Sequence, residues 1–214
     1  MITKAIHSSD LAGMEQRYRA ACINSLGGFK SIQLVGSKSK DGQSNLAIFN
    51  SIVHLGANPP LIGMIVRPDS VERHTYENIL ATGFYTLNHI HEEMYVRAHQ
   101  TSARYPRNES EFIQCGLNEE YKDGFYAPYV QESKVQIGVA LRDKIHIPLN
   151  KTILVVGEIV SVYLPESALQ ADGFIDLEKA GTLAGSGLDS YHRTSVLNRL
   201  SYAKPGSDPS PLPR

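Results

Sequence analysis

Amide and hydroxyl side chains interrupt an otherwise apolar stretch at residues 41–60, DGQSNLAIFNSIVHLGANPP. Alternate residues of a strand share one face. One face of this stretch therefore carries Asn45, Ala47, Phe49 and Ser51, and the other carries Leu46, Ile48 and Asn50. The first face suits a flat ligand with polar edges, because small residues admit the ligand and amides hydrogen-bond its rim. The alternative is that the asparagines only cap turns at the strand ends.

A second group of polar residues follows the next predicted strand, in VRPDSVERHTYENI. Arg67 closes that strand, Arg73 and His74 stand before a predicted helix, and Thr75 is its predicted N-cap. Free N–H groups at a helix start, a hydroxyl and guanidinium groups together form a phosphate-binding set. A solvated, well-capped surface helix explains the same residues equally well. Together with the strand, the pattern suggests a mononucleotide with its rings against the strand and its phosphate at the helix start.

Other kinds of chemistry lack the spacing that they require. The histidines of NHIHEEMYVRAH do not form H-E-x-x-H and have no third ligand, so no metal site is predicted. The glycine-rich GTLAGSG at 181–187 lacks the G-x-G-x-x-G order and is predicted to be a loop. No serine lies in a G-x-S-x-G elbow, and neither cysteine has a basic neighbour. We predict no catalytic side chain, and expect a cofactor to carry the chemistry.

The composition is that of an ordinary globular protein. The chain has 214 residues, 42% hydrophobic and 20% charged, with a net charge of -1. This charge gives no reason to expect nucleic acid or an anionic membrane as a partner. The two cysteines, Cys22 and Cys115, are far apart and are expected to be reduced thiols. No signal peptide or long apolar segment is visible, so the expected location is the cytoplasm.

Strands are the main elements that must position the polar residues. The predicted strands are KSIQLVG, SNLAIFN, PPLIGMIV, FYTLNHI, SKVQIGVALRDKIHI and KTILVVGEIVSVYL. The first two form a plausible hairpin around the loop SKSKDGQ, and Pro148 to Asn150 turn between the last two. Several strands with few helices between them favour an antiparallel barrel with peripheral helices over a doubly wound sheet.

The predicted helices lie at the edges of this pattern. One runs from about Leu11 to Asn24 after a cap at residues 8–10, and HTYENILAT forms another that ends before Gly83. Residues 91–124 are predicted to be helix and loop. We assign residues 1–203 to one domain. Residues 204–214, KPGSDPSPLPR, are predicted to be an extended arm or disordered tail that could still reach a neighbouring subunit.

Several short motifs occur in a characteristic order. They are Asp41-Gly42, Asn45-Leu46-Ala47, Asn50-Ser51, Pro59-Pro60, Thr75 to Ile79 and Phe84 to Asn88. AHQTSARYPRNESEF and the GLDSYH…RLSYAKP end are typical of one bacterial subgroup. From about Gly28 to Pro205 the chain resembles the flavin reductase-like FMN-binding split-barrel proteins. These include flavoredoxins and the reductase components of two-component monooxygenases.

The resemblance implies a function and a set of residues. FMN would lie along the barrel at the interface of a homodimer, and NADH or NADPH would pass hydride to it. The polar residues of 45–51 would hydrogen-bond the ribityl chain and ring edge, Ala47 would leave room for the ring, and Phe49 would lie on the same face. Arg67 and Thr75, with Arg73 or His74, would hold the phosphate. His99 and Ser102 would approach the isoalloxazine or the nicotinamide.

Three functions remain open at this level. The first is an NAD(P)H-dependent flavin reductase that supplies a partner oxygenase or electron-transfer protein. The second is a non-enzymatic FMN electron carrier reduced by a protein partner. The third is a relative of the pyridoxamine-phosphate oxidases that uses FMN and oxygen. The order of the strands and the GLDSYH motif favour the first two.

Overall fold

Twelve strands and five short helices are found in the computed structural model, which describes residues 2–212. The strands are β1 Lys30–Ser31, β2 Gln33–Lys38, β3 Ser44–Phe49, β4 Ile52–Ala57, β5 Pro60–Val66, β6 Phe84–His89, β7 Glu119–Glu120, β8 Tyr129–Val130, β9 Gln136–Ile147, β10 Thr152–Tyr163, β11 Ala184–Ser186 and β12 Ser190–His192. The helices are α1 Ser8–Gly13, α2 Gln16–Leu26, α3 His74–Thr82, α4 Tyr95–Gln100 and α5 Glu111–Gln114, with one 3₁₀ turn at Glu166–Ala168.

Seven of the strands form one antiparallel sheet in the order β3-β2-β6-β9-β10-β5-β4. Its two edge strands, β3 and β4, are consecutive in the chain and are separated only by Asn50 and Ser51. The two edges must therefore lie close together, so the sheet curls into a barrel with a seam between β3 and β4. The Ile65 N–H donates to the Ser51 carbonyl at 3.0 Å, which attaches the bend to β5. The predicted antiparallel barrel with few helices is confirmed.

Alternation along the strands produces two apolar layers. Val35 on β2 packs inside the barrel with Tyr85, Leu87 and Val139, among others. Leu34, the residue before Val35, packs outside the barrel in a second cluster that also holds Leu46, Ile90, Met94 and Phe112. This outer cluster lies between the sheet and the segment that carries α4 and α5. The α4–α5 segment is thereby fixed against β2 and β3.

The structure differs from the prediction in one helix, one strand end and one additional strand. The helix predicted over 11–24 is two helices, because Gly13 ends α1 and the Glu15 carboxylate then caps α2 by accepting the Arg17 and Tyr18 N–H groups. The predicted strand SNLAIFN, residues 44–50, ends at Phe49. After a two-residue bend the chain forms β4, which the sequence prediction missed.

Two shorter segments also take on strand pairing. Residues 184–186 of the glycine-rich loop form β11, which joins β1 and β12 in a small sheet. In the predicted tail, the Ser201 N–H donates to the Ser210 carbonyl at 2.8 Å and the Leu212 N–H donates to the Arg199 carbonyl at 2.8 Å. Residues 204–212 therefore fold back along residues 199–201, and the last two residues lie outside the described part of the chain.

Candidate functional site

The inward face of β3 meets the first turn of α3 through a buried polar network. The Asn45 amide donates to the Thr75 hydroxyl at 2.8 Å and more weakly to the Ser37 hydroxyl at 3.4 Å. The Asn78 amide also donates to Ser37, at 3.2 Å. Asn45 and Thr75 are 7% and 6% exposed, so this network fixes α3 against the barrel wall beside the seam.

The predicted cap of α3 is wrong by two residues. Arg73 is the N-cap, and Thr75 lies inside the first turn with its hydroxyl bound to Asn45. The Glu77 carboxylate accepts the N–H of the N-cap residue Arg73 at 2.9 Å, and no side chain of the described residues caps the N–H groups of the first turn. The predicted end is confirmed, because Gly83 has a left-handed φ of 79°.

Beside Asn45, Ala47 and Phe49 face the same way along β3. Both are half-buried, and Phe49 packs against the barrel interior. Asn50 and Ser51 stand in the bend that follows: the Asn50 amide donates to the Gly187 carbonyl at 2.8 Å, and the Ser51 hydroxyl donates to Asn50 Oδ1 at 3.2 Å. Asn50 thus attaches the small sheet to the seam.

The outer edge of β3 is covered by α5. The Glu111 carboxylate is 6% exposed and accepts the Leu46 N–H at 2.9 Å. Burial raises the pKa of Glu111 against the opposing effect of that hydrogen bond. A side chain therefore satisfies an edge N–H that no strand pairs.

Three arginines lie close enough for their charges to interact at the start of α3. Arg67 follows β5, Arg73 caps α3 and donates from Nε to the Pro68 carbonyl at 3.2 Å, and Arg104 follows α4. Burial, and then the charges of Arg67 and Arg104, lower the pKa of Arg73, which stays a cation. Sequence reasoning missed Arg104, whose only signal was its basic, polar loop. We call Arg67, Arg73 and Arg104 the arginine cluster.

His74 faces a different charge environment from the arginine cluster. Its Nε2 lies 3.4 Å from the Glu72 carboxylate. The His74 ring is therefore directed to Glu72, whereas the hydroxyl of the next residue, Thr75, binds Asn45.

His99 and Ser102 lie at the end of α4 and are exposed. His99 Nδ1 is 2.9 Å from the Tyr191 hydroxyl, and the Tyr191 ring also contacts Tyr95 at a centroid distance of 5.3 Å. Burial raises the pKa of Tyr191 to about 12, so its hydroxyl stays protonated at neutral pH. The structure thus joins His99 to β12 through Tyr191, and Ser102 precedes Arg104 by two residues.

The fold and this site can be compared with known proteins. The family model of the flavin reductase like domain matches residues 30–179, well over half of the chain. The chain belongs to this family. The prediction made from the short motifs is therefore confirmed.

Solved structures agree with the flavin reductase-like assignment. The chain is 49% identical to a protein of Shewanella frigidimarina that is provisionally described as a flavin reductase with a split barrel domain; the TM-score is 0.91, and 94% of this chain and 100% of that one are covered. Two more distant structures share the fold. Component B of nitrilotriacetate monooxygenase from Bacillus cereus has 21% identity and a TM-score of 0.81, covering 92% and 100% of the two chains. Flavoredoxin of Desulfovibrio vulgaris has 24% identity and a TM-score of 0.69, covering 84% and 92%.

In this flavin reductase-like chain, a buried histidine connects β6 to the segment that carries Gly187. The Gln33 amide donates to His89 Nε2 at 3.2 Å, and His89 Nδ1 lies 3.1 Å from the Thr182 hydroxyl, to which the neutral ring donates. Burial lowers the pKa of His89 to about 4. The ring is therefore neutral in the folded protein at physiological pH.

This shift makes the stability depend on pH. The ordinary pKa of histidine is 6.5, and above this pH neutral His89 contributes its full stabilisation, about 3 kcal/mol. This stabilisation is lost as the pH falls from 6.5 through about 4. Urea unfolding at pH 7.5, 5.5 and 4.0 measures this loss, and we expect His89→Gln to show a smaller loss than the wild type. The exposed His54 provides the control, because His54→Gln should lose as much as the wild type. If the free energy of unfolding depended on pH equally in His89→Gln and the wild type, buried His89 would not be the cause of the pH dependence.

Two features of the described residues bear on the kind of site. Within residues 2–212, no group of three or more His, Cys, Asp or Glu side chains is arranged to hold a metal ion. Over the same range, no helix has the length and apolar character needed to span a membrane.

Proposed function

We propose that this protein is an FMN-dependent NAD(P)H oxidoreductase of the flavin reductase type. The observation that carries the proposal is the arginine cluster and the Thr75 hydroxyl at one end of the seam, in a chain of the flavin reductase-like family. Guanidinium groups and a hydroxyl at a helix start are the donors that a phosphate monoester takes. The donor set therefore fits the phosphate of FMN.

The residues along β3 fit the rest of the cofactor. Ala47 offers a small side chain on the same face as Asn45, so a planar ring has room to approach the strand. Beyond Phe49, the Ser51 hydroxyl and the backbone of the bend supply polar groups for the ring edge or ribityl chain. The Asn45 and Asn50 amide groups already donate to Thr75 and Gly187, so we assign both asparagines to shaping the seam.

Bound FMN would supply the ring that accepts a hydride from a nicotinamide and passes the electrons onward. The protein groups bind and orient, and none of them needs to be a nucleophile or a general base. We assign the phosphate to Arg67, Arg73 and Thr75, and we place His99 and Ser102 on the side from which the nicotinamide approaches. We assign no phosphate contact to His74, because its Nε2 lies 3.4 Å from the Glu72 carboxylate.

We further propose that the protein is a homodimer. Gly63 on β5 makes room for the side chains of Val53, Leu55 and Leu154, which share the outer face of the barrel beside the seam. Ile145 pairs with Leu154 across β9 and β10, and Val53, Leu55 and Ile145 are 46%, 41% and 49% exposed. A second copy of the chain on this apolar face would cover it and close the proposed FMN site at the seam.

We also propose that an oxygenase or electron-transfer protein is the partner that receives the electrons.

Absorbance spectroscopy of the purified protein with FMN tests the function. We expect bound flavin bands that bleach on anaerobic addition of NADH or NADPH. Bound bands that persist with both donors would instead support an electron carrier reduced by a protein partner, the alternative suggested by the flavoredoxin fold. If added FMN does not bind at all, the assignment of the seam is wrong.

A further inference from the structure

The arginine cluster carries more positive charge than one flavin phosphate neutralises. A phosphate monoester has a charge of about -1.5 to -2 at neutral pH, whereas Arg67, Arg73 and Arg104 contribute three guanidinium groups. If FMN binds as proposed above, on which this inference rests, one guanidinium remains without a counter-ion. The cluster is therefore built for a second anionic group besides the phosphate of the flavin.

Half of the ten arginines in residues 2–212 have a carboxylate partner, and the three arginines of the cluster, like Arg17 and Arg19, have none. Five arginines form ion pairs with carboxylates: Arg97 with Glu132, Arg107 with Glu77, Arg142 with Glu158, Arg193 with Glu92 and Arg199 with Asp172. Within residues 2–212, no carboxylate lies within ion-pair distance of the three arginines of the cluster. Of the carboxylates at the helix start, Glu77 accepts the Arg73 N–H and pairs with the Arg107 side chain, and Glu72 lies 3.4 Å from His74 Nε2.

Arg104 is the member of the cluster that is free for a second ligand. Arg73 is half-buried, and its Nε is held by the Pro68 carbonyl, beside the Thr75 hydroxyl that we assign to the flavin. Arg104 is exposed and comes from the α4–α5 loop. That loop is held at the start of α3 because Arg107, three residues later, pairs with Glu77. Arg104 thus lies at the rim, where a ligand that enters after FMN would meet it.

We propose that Arg104 binds a phosphate group of the nicotinamide donor, either the 2′-phosphate of NADPH or the diphosphate that NADPH and NADH share. Both are anions that a planar guanidinium recognises through paired N–H donors. The donor must also lie on the flavin during hydride transfer, and Arg104 is two residues from Ser102, which we place on the side from which the nicotinamide approaches. Arg104 would then determine how tightly the donor binds and, through the 2′-phosphate, which donor is preferred.

Calorimetric titration of the FMN-loaded protein with NADP⁺ and NAD⁺ tests this without turnover. We expect Arg104→Ala to weaken nucleotide binding about tenfold, with the affinity for FMN changed less than twofold. A loss confined to NADP⁺ identifies the 2′-phosphate, and an equal loss for both nucleotides identifies the diphosphate. Arg104→Lys should recover part of the affinity, because lysine keeps the positive charge but lacks the paired N–H donors of the guanidinium group.

Arg142→Ala is the matched control, since it removes an exposed arginine that already has a carboxylate partner. It should leave the binding of both nucleotides unchanged. Unchanged nucleotide binding in Arg104→Ala, or an equally large loss of FMN affinity, would overturn this inference while leaving the proposed function intact. Failure of the wild type to bind FMN would overturn both.

Discussion

Replacing Arg73 by alanine is expected to weaken FMN binding by roughly 30- to 150-fold, or about 2 to 3 kcal/mol. Arg73 is the half-buried member of the arginine cluster, and its charge is partly withdrawn from solvent at the start of α3. A charge-assisted hydrogen bond in such a place is worth more than one at an exposed position. The effect should therefore exceed that of Arg67→Ala, because Arg67 is exposed.

The measurement is a fluorescence titration of the apoprotein with FMN and, separately, with riboflavin. Riboflavin lacks the phosphate, so Arg73→Ala should change its affinity by less than about threefold. This comparison also controls for structural damage, because Arg73 donates to the Pro68 carbonyl and its loss loosens the 67–73 loop. An equal loss for FMN and riboflavin would show that Arg73 shapes the loop without binding the phosphate.

The second large effect concerns the fold that supports the site. Gly36→Ala is expected to destabilise the protein by about 3 kcal/mol or more. A Cβ at Gly36 would lie 2.2 Å from the Pro128 carbonyl oxygen and 2.5 Å from the Thr86 hydroxyl. That hydroxyl donates to the same carbonyl at 2.6 Å, and the Val130 N–H donates to Asn88 at 3.0 Å. The added methyl would push away the backbone that crosses β2 and β6.

Urea unfolding and soluble yield both report this effect. Gly13→Ala is the control, because nothing lies within 4 Å of a Cβ at Gly13 and its φ is not positive. We expect that variant to keep the stability of the wild type or to gain slightly from the lower entropy of its unfolded state. If Gly36→Ala unfolded at the same urea concentration as the wild type, the segment at Pro128 would move aside at little cost in free energy.

Local patterns in the sequence were sufficient for the fold class and the family. The period of two in SNLAIF correctly separated the inward Asn45 and Phe49 from the outward Leu46 and Ile48. Pro60 begins a strand as predicted, since a proline has no N–H to give to a ladder. These properties depend on neighbouring residues and backbone chemistry, which a sequence displays directly.

Contacts between distant segments decided the rest. β4 was missed because its pattern, with two exposed apolar residues on the outer face, becomes a strand only by pairing with β5. Thr75 matched the chemistry of a cap, but Asn45, thirty residues earlier, binds its hydroxyl, and Arg73 begins the helix. Arg104 is 31 residues from Arg73 in the chain, and only the packing of the α4–α5 loop against α3 brings their charges together. Spacing along the chain predicts the strands of the barrel, whereas the charge balance at its seam depends on tertiary packing.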